Sequence, residues 1–210
     1  MSTKLGTRSL LAAVVLLTAG CSLTAMGCSS DGGGVRGPIS QIVGRALAPE
    51  SDGDVKNTVP LENANVVLLT YDEDGNLERA QVGMTDADGN FVVEAEAQAV
   101  IAIVVEGATN DGEVDVSGLY NPDQPMIEKD LDPATSVACV AGISAIGDDS
   151  ITEEQLDATR VQNLEDASVD YIDANPGFDF YDADDVNAAV AAVRAATNDG
   201  ANPAAPGAFD

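Results

Sequence analysis

The chain has 210 residues, of which 36 are acidic and 9 are basic, so its formal net charge at pH 7 is −27. This charge excludes a nucleic-acid-binding protein, because a partner with a dense phosphate backbone requires Lys and Arg. The chain has no His, which excludes Ser-His and Cys-His nucleophilic enzymes and sites where His binds zinc or haem iron. Hydrophobic residues make up 45% of the sequence, enough for a folded protein with a buried core.

The sequence opens with a basic segment followed by an apolar one. Lys4 and Arg8 precede the apolar run 9–17, which is too short to cross a bilayer because a spanning helix needs about 20 residues. Small residues then lead to Cys21. A basic start, a short apolar core and small residues are typical of a secretory signal peptide, which we expect over residues 1–20.

The pentapeptide Leu-Thr-Ala-Gly-Cys that ends at Cys21 resembles the lipobox of bacterial lipoproteins. The resemblance implies cleavage before Cys21 and a diacylglycerol on its sulfur, which with a second chain gives stable membrane anchoring. Ser22 at the next position implies the outer membrane if the organism is Gram-negative. Cys28 is an alternative acylation site farther from the apolar run, and an ordinary secreted protein is the alternative to a lipoprotein. Residues 21–38 are rich in Gly and Ser and predict a flexible tether.

Short β-like runs separated by turn residues begin at residue 39. The predicted strands are residues 41–47, 64–71, 77–85, 91–96, 99–106, 114–120 and 126–131. The turns 72–76 and 86–90 both contain Asp-Gly, which predicts hairpins because Gly accepts the positive φ that these turns require. About seven strands in this length favour a small antiparallel sandwich.

Three features of this region resemble the carboxypeptidase regulatory-like domain, a transthyretin-like β-sandwich. Gly44 follows an apolar pair, residues 60–66 match "P-L-x-x-A-x-V", and residues 85–91 match "T-D-x-x-G-x-F". The resemblance implies such a domain over residues 39–132, serving as a scaffold or binding module. It implies no peptidase activity, since that chemistry belongs to a separate zinc domain with His ligands, which this chain lacks.

The hydrophobic period changes after residue 132 from two to about 3.6 residues. This predicts a helical segment over residues 133–199 and a loose tail over residues 200–210. A first helix rich in small residues is expected to be buried. Ser150 and Glu153 have the spacing of a capping box and predict that a second helix begins at Ser150. A third helix is expected after a run of Asp residues, since carboxylates are favourable at a helix N-terminus.

Two predicted strands are apolar at odd and even positions alike, so that both of their faces are apolar. Residues 66–69 and 100–105 have few polar side chains, although a sandwich strand usually has one face in water. Either the helices cover the outer face of that sheet, or a β-bulge shifts the parity. The predicted fold class is therefore α+β: a seven-stranded antiparallel transthyretin-like β-sandwich followed by a three-helix segment packed on one sheet.

Acidic side chains supply the candidate binding groups. Asp179, Asp182, Asp184 and Asp185 form a dense cluster that predicts either a weak divalent-cation site, such as one for calcium, or helix capping. The two Asp-Gly turns do not have EF-hand spacing, because Gly occupies the fourth position instead of the sixth. We expect no metal centre, no cofactor and no catalytic residue.

Cys139 lies among apolar residues and is expected to be a small buried hydrophobe. If Cys21 carries the lipid, Cys28 and Cys139 are left as a candidate disulfide in an oxidising compartment. A buried Cys139 would oppose that pairing, because the two sulfurs must meet.

The sequence therefore predicts a non-catalytic, lipid-anchored binding or structural module of the cell envelope. Its partners would be the membrane, through the N-terminal lipid, and a protein or glycan. The alternatives are a divalent-cation-dependent adhesion or surface component, and a carboxylate-based envelope hydrolase. The acidity itself fits a saline habitat, or a surface that stays soluble and is repelled by the anionic membrane.

Overall fold

A computed structural model describes residues 39–50, 55–71, 77–96, 101–120 and 126–197. The predicted signal peptide, Cys21, the tether, the turn 72–76 and the C-terminal tail lie outside these residues. In the described ranges the chain is α+β, with several antiparallel sheets followed by three helices. The predicted order of strands first and helices afterwards is confirmed.

Nine strands lie within the described ranges and form three sheets. They are β1 Ile39–Arg45, β2 Leu47–Pro49, β3 Thr58–Pro60, β4 Asn65–Tyr71, β5 Leu77–Met84, β6 Asn90–Glu96, β7 Ile101–Thr109, β8 Gly112–Tyr120 and β9 Met126–Glu128. The sheets have the orders β5-β4-β7-β8, β6-β1-β9 and β2-β3. The helices are α1 Pro133–Gly147, α2 Ala158–Ala174 and α3 Ala183–Thr197.

The turn at residues 86–90 has the predicted backbone but not the predicted role. Gly89 has a φ of 78°, and Asp86 Oδ1 accepts hydrogen bonds of 2.9 Å from the N–H groups of Asp88 and Asn90. The Asn90 side chain also donates through Nδ2 to both Asp86 carboxylate oxygens, at 3.1 and 3.0 Å. This side-chain bond, followed by the backbone bonds, lowers the pKa of the Asp86 carboxyl. The prediction of a hairpin is wrong, because β5 and β6 belong to different sheets and the turn carries the chain from one to the other.

Thr85 explains this change of sheet. Its side chain is buried, and its Oγ1 donates to the Leu61 carbonyl at 2.5 Å and accepts from the Ala64 N–H at 2.9 Å. The Thr85 N–H donates to the Ala64 carbonyl at 2.9 Å. Thr85 thus bonds to the loop that precedes β4, and the strand pairing of β5 ends there. The two sequence motifs that begin at residues 60 and 85 are therefore in direct contact.

The last strand is shorter than predicted and is parallel to its neighbour. β9 covers Met126–Glu128 instead of residues 126–131, and it pairs with β1 in the parallel sense. The reason is that β8 and β9 lie in different sheets, so no tight hairpin joins them. Beyond β9, the Lys129 N–H donates to the Val43 carbonyl at 3.0 Å, which keeps the chain alongside β1.

The predicted first strand, residues 41–47, is divided at Ala46. The Ala46 N–H donates to the Gly89 carbonyl at 3.0 Å, and its carbonyl accepts from Leu61 N–H at 2.9 Å. The chain then forms the β2–β3 pair, which sequence analysis did not predict. Each of these strands has three residues and ends in Pro, a combination that ordinarily argues against a strand.

The start of the second helix was predicted wrongly. α2 begins at Ala158, and its N-cap is Asp157, whose Oδ1 accepts from the Arg160 N–H at 2.8 Å. Ser150 instead donates through Oγ to Asp148 Oδ1 at 2.6 Å. Leu156 separates the two positions: it is fully buried, and a single 3₁₀ turn, Glu153–Gln155, brings it into the core before α2 starts.

Helix α1 begins with a capping box and lies against β8. Asp132 Oδ1 accepts from the Thr135 N–H, and Thr135 Oγ1 accepts from the Asp132 N–H, each at 2.8 Å. One turn later, Ser136 Oγ accepts from the Ser117 N–H of β8 at 2.9 Å. An added Cβ at Gly142 would lie 2.6 Å from Leu119 Cδ1, so the helix backbone approaches the sheet closely at a glycine.

Three strands of the four-stranded sheet, β4, β7 and β8, have buried side chains on both faces, as their apolar sequences require, whereas the edge strand β5 is exposed. Leu69, Ala102 and Leu119 lie beside Ile143 and Ile146 of α1, around a small cavity of about 10 Å³. A β-bulge is also present, but on β5: the register with β4 shifts between Val66 and Val67, and both of these valines are buried. The bulge therefore does not account for the double-sided apolar pattern of β4.

Candidate functional site

The Asp cluster predicted from the sequence surrounds the turn between α2 and α3. Asp182 Oδ1 accepts from the N–H groups of Asp184 at 2.8 Å and Asp185 at 3.3 Å, at the start of α3. Asp179 Oδ1 accepts from the Tyr181 N–H at 2.8 Å. Asp185 Oδ2 accepts from the Asp179 N–H, so three of the four carboxylates bond to the backbone, and Asp184 contributes to the acidic first turn of α3. The described residues contain no group of three or more acidic or Cys side chains placed to hold a metal ion. This arrangement favours the helix-capping alternative.

The same turn forms one wall of an open cleft of about 270 Å³. Its lining combines two aromatic rings, an amide, a proline and a carboxylate. The lining residues are Tyr171, Ala174, Asn175, Pro176, Gly177, Phe178 and Asp185. We call this feature the α2–α3 cleft. Sequence analysis identified Asp185 but did not identify the aromatic residues, because their meeting depends on the geometry of the turn.

Local hydrogen bonds fix the walls of the α2–α3 cleft. Asn175 caps the C-terminus of α2, where its N–H donates to the Ile172 carbonyl at 3.1 Å and its Nδ2 donates to the Tyr171 carbonyl at 2.7 Å. The Phe178 N–H donates to the Asn175 carbonyl at 2.9 Å. The rings of Tyr171 and Phe178 meet edge to face, with centroids 6.4 Å apart, an arrangement that stabilises aromatic pairs.

Asp185 is held in place from the opposite side of the α2–α3 cleft. Its Oδ2 accepts a hydrogen bond of 3.0 Å from the Asp179 N–H. A carboxylate offers about four acceptor sites, so this bond orients the group and leaves it able to accept from a ligand. A carboxylate beside aromatic rings suits a cation with an apolar stem.

A second group of polar side chains joins the sheet to α2. Lys129 forms an ion pair with Glu165, and its Nζ also donates to the Leu119 carbonyl at 3.3 Å and lies 5.5 Å from the centroid of the Tyr120 ring. Burial lowers the pKa of the Lys129 ammonium to about 8.

Cys139 is buried, as predicted, and burial raises the pKa of its thiol to about 11. Such a thiol is protonated at neutral pH, which opposes reactivity. Cys28, its candidate disulfide partner, lies outside the described residues.

Two carboxylates face each other across β7 and β8. Glu106 and Asp115 are paired residues in the strand register, and Arg79 forms an ion pair with Glu106. Burial, and secondarily the Glu106 charge, raise the pKa of the Asp115 carboxyl to about 6. Sequence analysis named no specific pair for the hydrolase alternative; this one depends on strand register, which the sequence did not define.

The raised pKa of Asp115 predicts a pH dependence of stability. Between its unfolded pKa of about 4 and its folded pKa of about 6, the folded state holds a proton that the unfolded state releases. The stabilisation from this group is therefore complete below about pH 4 and is lost as the pH rises through 6. Because Asp115 is partly exposed, we expect Asp115→Asn to stabilise the protein at pH 7.5 by only about 1 kcal/mol.

Urea unfolding at pH 4.5 and at pH 7.5 measures this effect. The gain from Asp115→Asn should fall to about a third at the lower pH, because the unfolded carboxyl is still partly ionised there. Asp111→Asn, at an exposed position in the neighbouring turn, is the matched control and should change stability by less than about 0.5 kcal/mol at both pH values. An equal gain from Asp115→Asn at both pH values would contradict the prediction.

Most basic side chains of the described residues are directed to acidic groups of the same chain. Arg45 pairs with Asp130 at 2.9 Å and Arg194 with Asp148 at 2.6 Å, in addition to the pairs of Arg79 and Lys129. Since the whole chain has 36 acidic and 9 basic residues, these pairs leave a large excess of acidic groups. The surface therefore attracts cationic partners.

None of the helices in the described ranges has the length and apolar character needed to cross a membrane. No family model and no curated protein matches the chain. A solved structure that matches it is a 9R-lipoxygenase from Cyanothece PCC8801, with 10% sequence identity and a TM-score of 0.30. That match covers 72% of this chain and 27% of the lipoxygenase chain. At this level of similarity, we transfer neither the fold nor the chemistry of that enzyme to this protein.

Proposed function

We propose that this protein is a non-catalytic, lipid-anchored module of the cell envelope that binds a protein or glycan partner near the membrane. The anchor in this proposal is Cys21, on the strength of its sequence context. The body of the protein would be a transthyretin-like sandwich of the carboxypeptidase regulatory-like type, with the helical segment docked on one sheet.

Three features support this architecture. The two larger sheets together contain the three strands β6-β1-β9 and the four strands β5-β4-β7-β8. The two motifs on which the family resemblance depends meet at Thr85, Leu61 and Ala64. The hydrophobic core is one cluster that includes residues of both larger sheets and of all three helices, which favours a single unit over two independent domains.

The observation that carries the binding role is the α2–α3 cleft. It is open to solvent, a hydrogen bond orients its carboxylate, and its two aromatic rings pack edge to face. Its volume of about 270 Å³ is enough for one side chain or one sugar-sized group. Preorganised groups at a surface reduce the cost of ordering on binding. A structural turn alone does not require this cavity.

Photocrosslinking in intact cells tests the proposed function. A photoreactive amino acid is placed at Ala174, which is exposed and lines the cleft, or at Asn163, which is exposed near the other end of α2. We expect a discrete adduct from position 174 and none from position 163. The Cys21→Ser variant should leave the membrane fraction and lose the adduct, because the partner is held near the membrane. Equal adducts from both positions, no adduct at all, or a Cys21→Ser protein that stays in the membrane fraction would overturn the proposal.

A further inference from the structure

The α2–α3 cleft has the chemistry of a receptor for a long cationic side chain. Its lining includes the rings of Tyr171 and Phe178, the ring of Pro176 and the carboxylate of Asp185. Phe178 is buried, so Tyr171 and Pro176 supply the more accessible apolar surface. The methylene stem of Lys or Arg packs well on apolar surface while its charged end stays near a carboxylate or in water. A neutral sugar would also pack on the rings, but the surrounding negative charge would not attract it to the cleft.

Charge decides between these occupants. The chain carries −27, and Asp173, Asp179, Asp182 and Asp184 all lie within a few positions of the cleft residues. Their carboxylates raise the local concentration of cationic ligands and repel anionic ones. A second copy of this chain is disfavoured for the same reason, since it would bring a second large negative charge to the interface.

We propose that the α2–α3 cleft binds a Lys or Arg side chain from a basic segment of a protein partner. This inference rests on the proposed binding function and specifies the chemistry of the partner. The cationic end would bond to Asp185, which the Asp179 N–H already orients, and would lie against the face of Tyr171. The stem would lie against Pro176, which is exposed.

Titration of the full chain by NMR tests this proposal with a defined probe. The probe is a blocked tripeptide with Lys between two Gly, and its control replaces Lys with norleucine, which keeps the stem and removes the charge. At 150 mM salt we expect the Lys probe to shift the amide signals of Asn175 and Gly177, and the norleucine probe to shift them far less. Equal binding of both probes would overturn the proposal, because the cleft would then be only an apolar slot.

Two variants separate this site from general acidity. Asp185→Asn keeps an oxygen that accepts from Asp179 and should weaken the Lys probe at least about fivefold. Asp184→Asn is the matched control: it removes the same charge one position away, outside the cleft lining, and should weaken binding less than about twofold. Equal effects of the two variants would show that only the net charge attracts the probe.

A third variant covers the case in which Asp185→Asn disturbs the turn. Tyr171→Leu keeps an apolar side chain and removes the aromatic face, so binding of the Lys probe should weaken about threefold or more while the amide spectrum away from the cleft is retained. Unchanged binding in a folded Tyr171→Leu protein would overturn the cation–aromatic part of the proposal. Probe binding without a cellular adduct at position 174 would overturn the proposed function and leave the cation site. A cellular adduct without probe binding would overturn the cation site and leave the proposed function.

Discussion

Replacing Gly44 with Ala is expected to destabilise the protein by about 3 kcal/mol or more. An added Cβ at this position would lie 1.9 Å from the Lys129 carbonyl oxygen and 2.9 Å from its carbon. Both atoms belong to the backbone, so no side-chain rotation relieves the clash, and the chain after β9 would have to move away from β1. Forcing atoms into a packed core costs about 1–3 kcal/mol and occasionally more.

Gly83 supplies the control for this substitution. Nothing lies within 4 Å of an added Cβ there, and the residue is in the exposed edge strand β5. Since Gly weakens a strand relative to Ala, Gly83→Ala should be neutral or stabilise by up to about 1 kcal/mol. Urea unfolding followed by far-ultraviolet circular dichroism measures both variants, as the chain has no Trp. A Gly44→Ala protein as stable as the parent would show that the β1–β9 approach is not as close as described.

The second large effect is expected at the ion pair of Lys129 and Glu165. The side chains are only 20% and 14% exposed, so removing one charge leaves the other poorly solvated. Breaking a buried pair costs about 3–5 kcal/mol, and with this partial exposure we expect a loss of about 3 kcal/mol for Glu165→Gln and for Lys129→Met. Replacing both by apolar residues, Lys129→Met with Glu165→Leu, should recover most of the loss, since no charge then remains unpaired.

The pair of Arg45 and Asp130 is the matched control. Its side chains are 48% and 44% exposed, and it lies on the same segment of chain as Lys129. An exposed pair contributes at most about 1 kcal/mol, so Arg45→Gln should cost far less than Glu165→Gln. With Glu165→Leu measured as the second single variant, the double-mutant cycle of Lys129→Met and Glu165→Leu gives the coupling energy of the pair. A coupling near zero would mean that the two side chains do not depend on each other for solvation.

Local sequence patterns predicted the elements but not their partners. The period of two and the period of about 3.6 separated strands from helices, and Asp-Gly correctly placed the positive φ at Gly89. The same dipeptide suggested a hairpin, because the local sequence predicts the backbone of a turn but not the sheet to which the next strand belongs. The sheet to which β6 belongs depends on Thr85, which bonds to Leu61 and Ala64 more than twenty positions earlier.

The start of α2 was missed for a related reason. Ser150 and Glu153 have a valid capping spacing, but Leu156 needs a place in the core, and a helix from Ser150 would not provide it. The fully buried Leu156 therefore delays the helix until Asp157 can cap it. The candidate site was predicted in part: carboxylate chemistry is visible in the sequence, whereas the meeting of Tyr171, Phe178 and Asp185 depends on the angle between two helices.

The position of β1 has a consequence for how the chain reaches its structure. β1 comes first among the described strands, yet it lies between β6 and β9 in its sheet; Arg45 and its partner Asp130 are 85 positions apart. Contacts between distant segments close slowly, because the loop between them must first be ordered. During synthesis, β1 therefore cannot pair with β9 until nearly two thirds of the given sequence has been made. Until β9 has been made, one edge of β1 has no strand beside it, so a chaperone that binds the nascent chain would find an unpaired strand edge there.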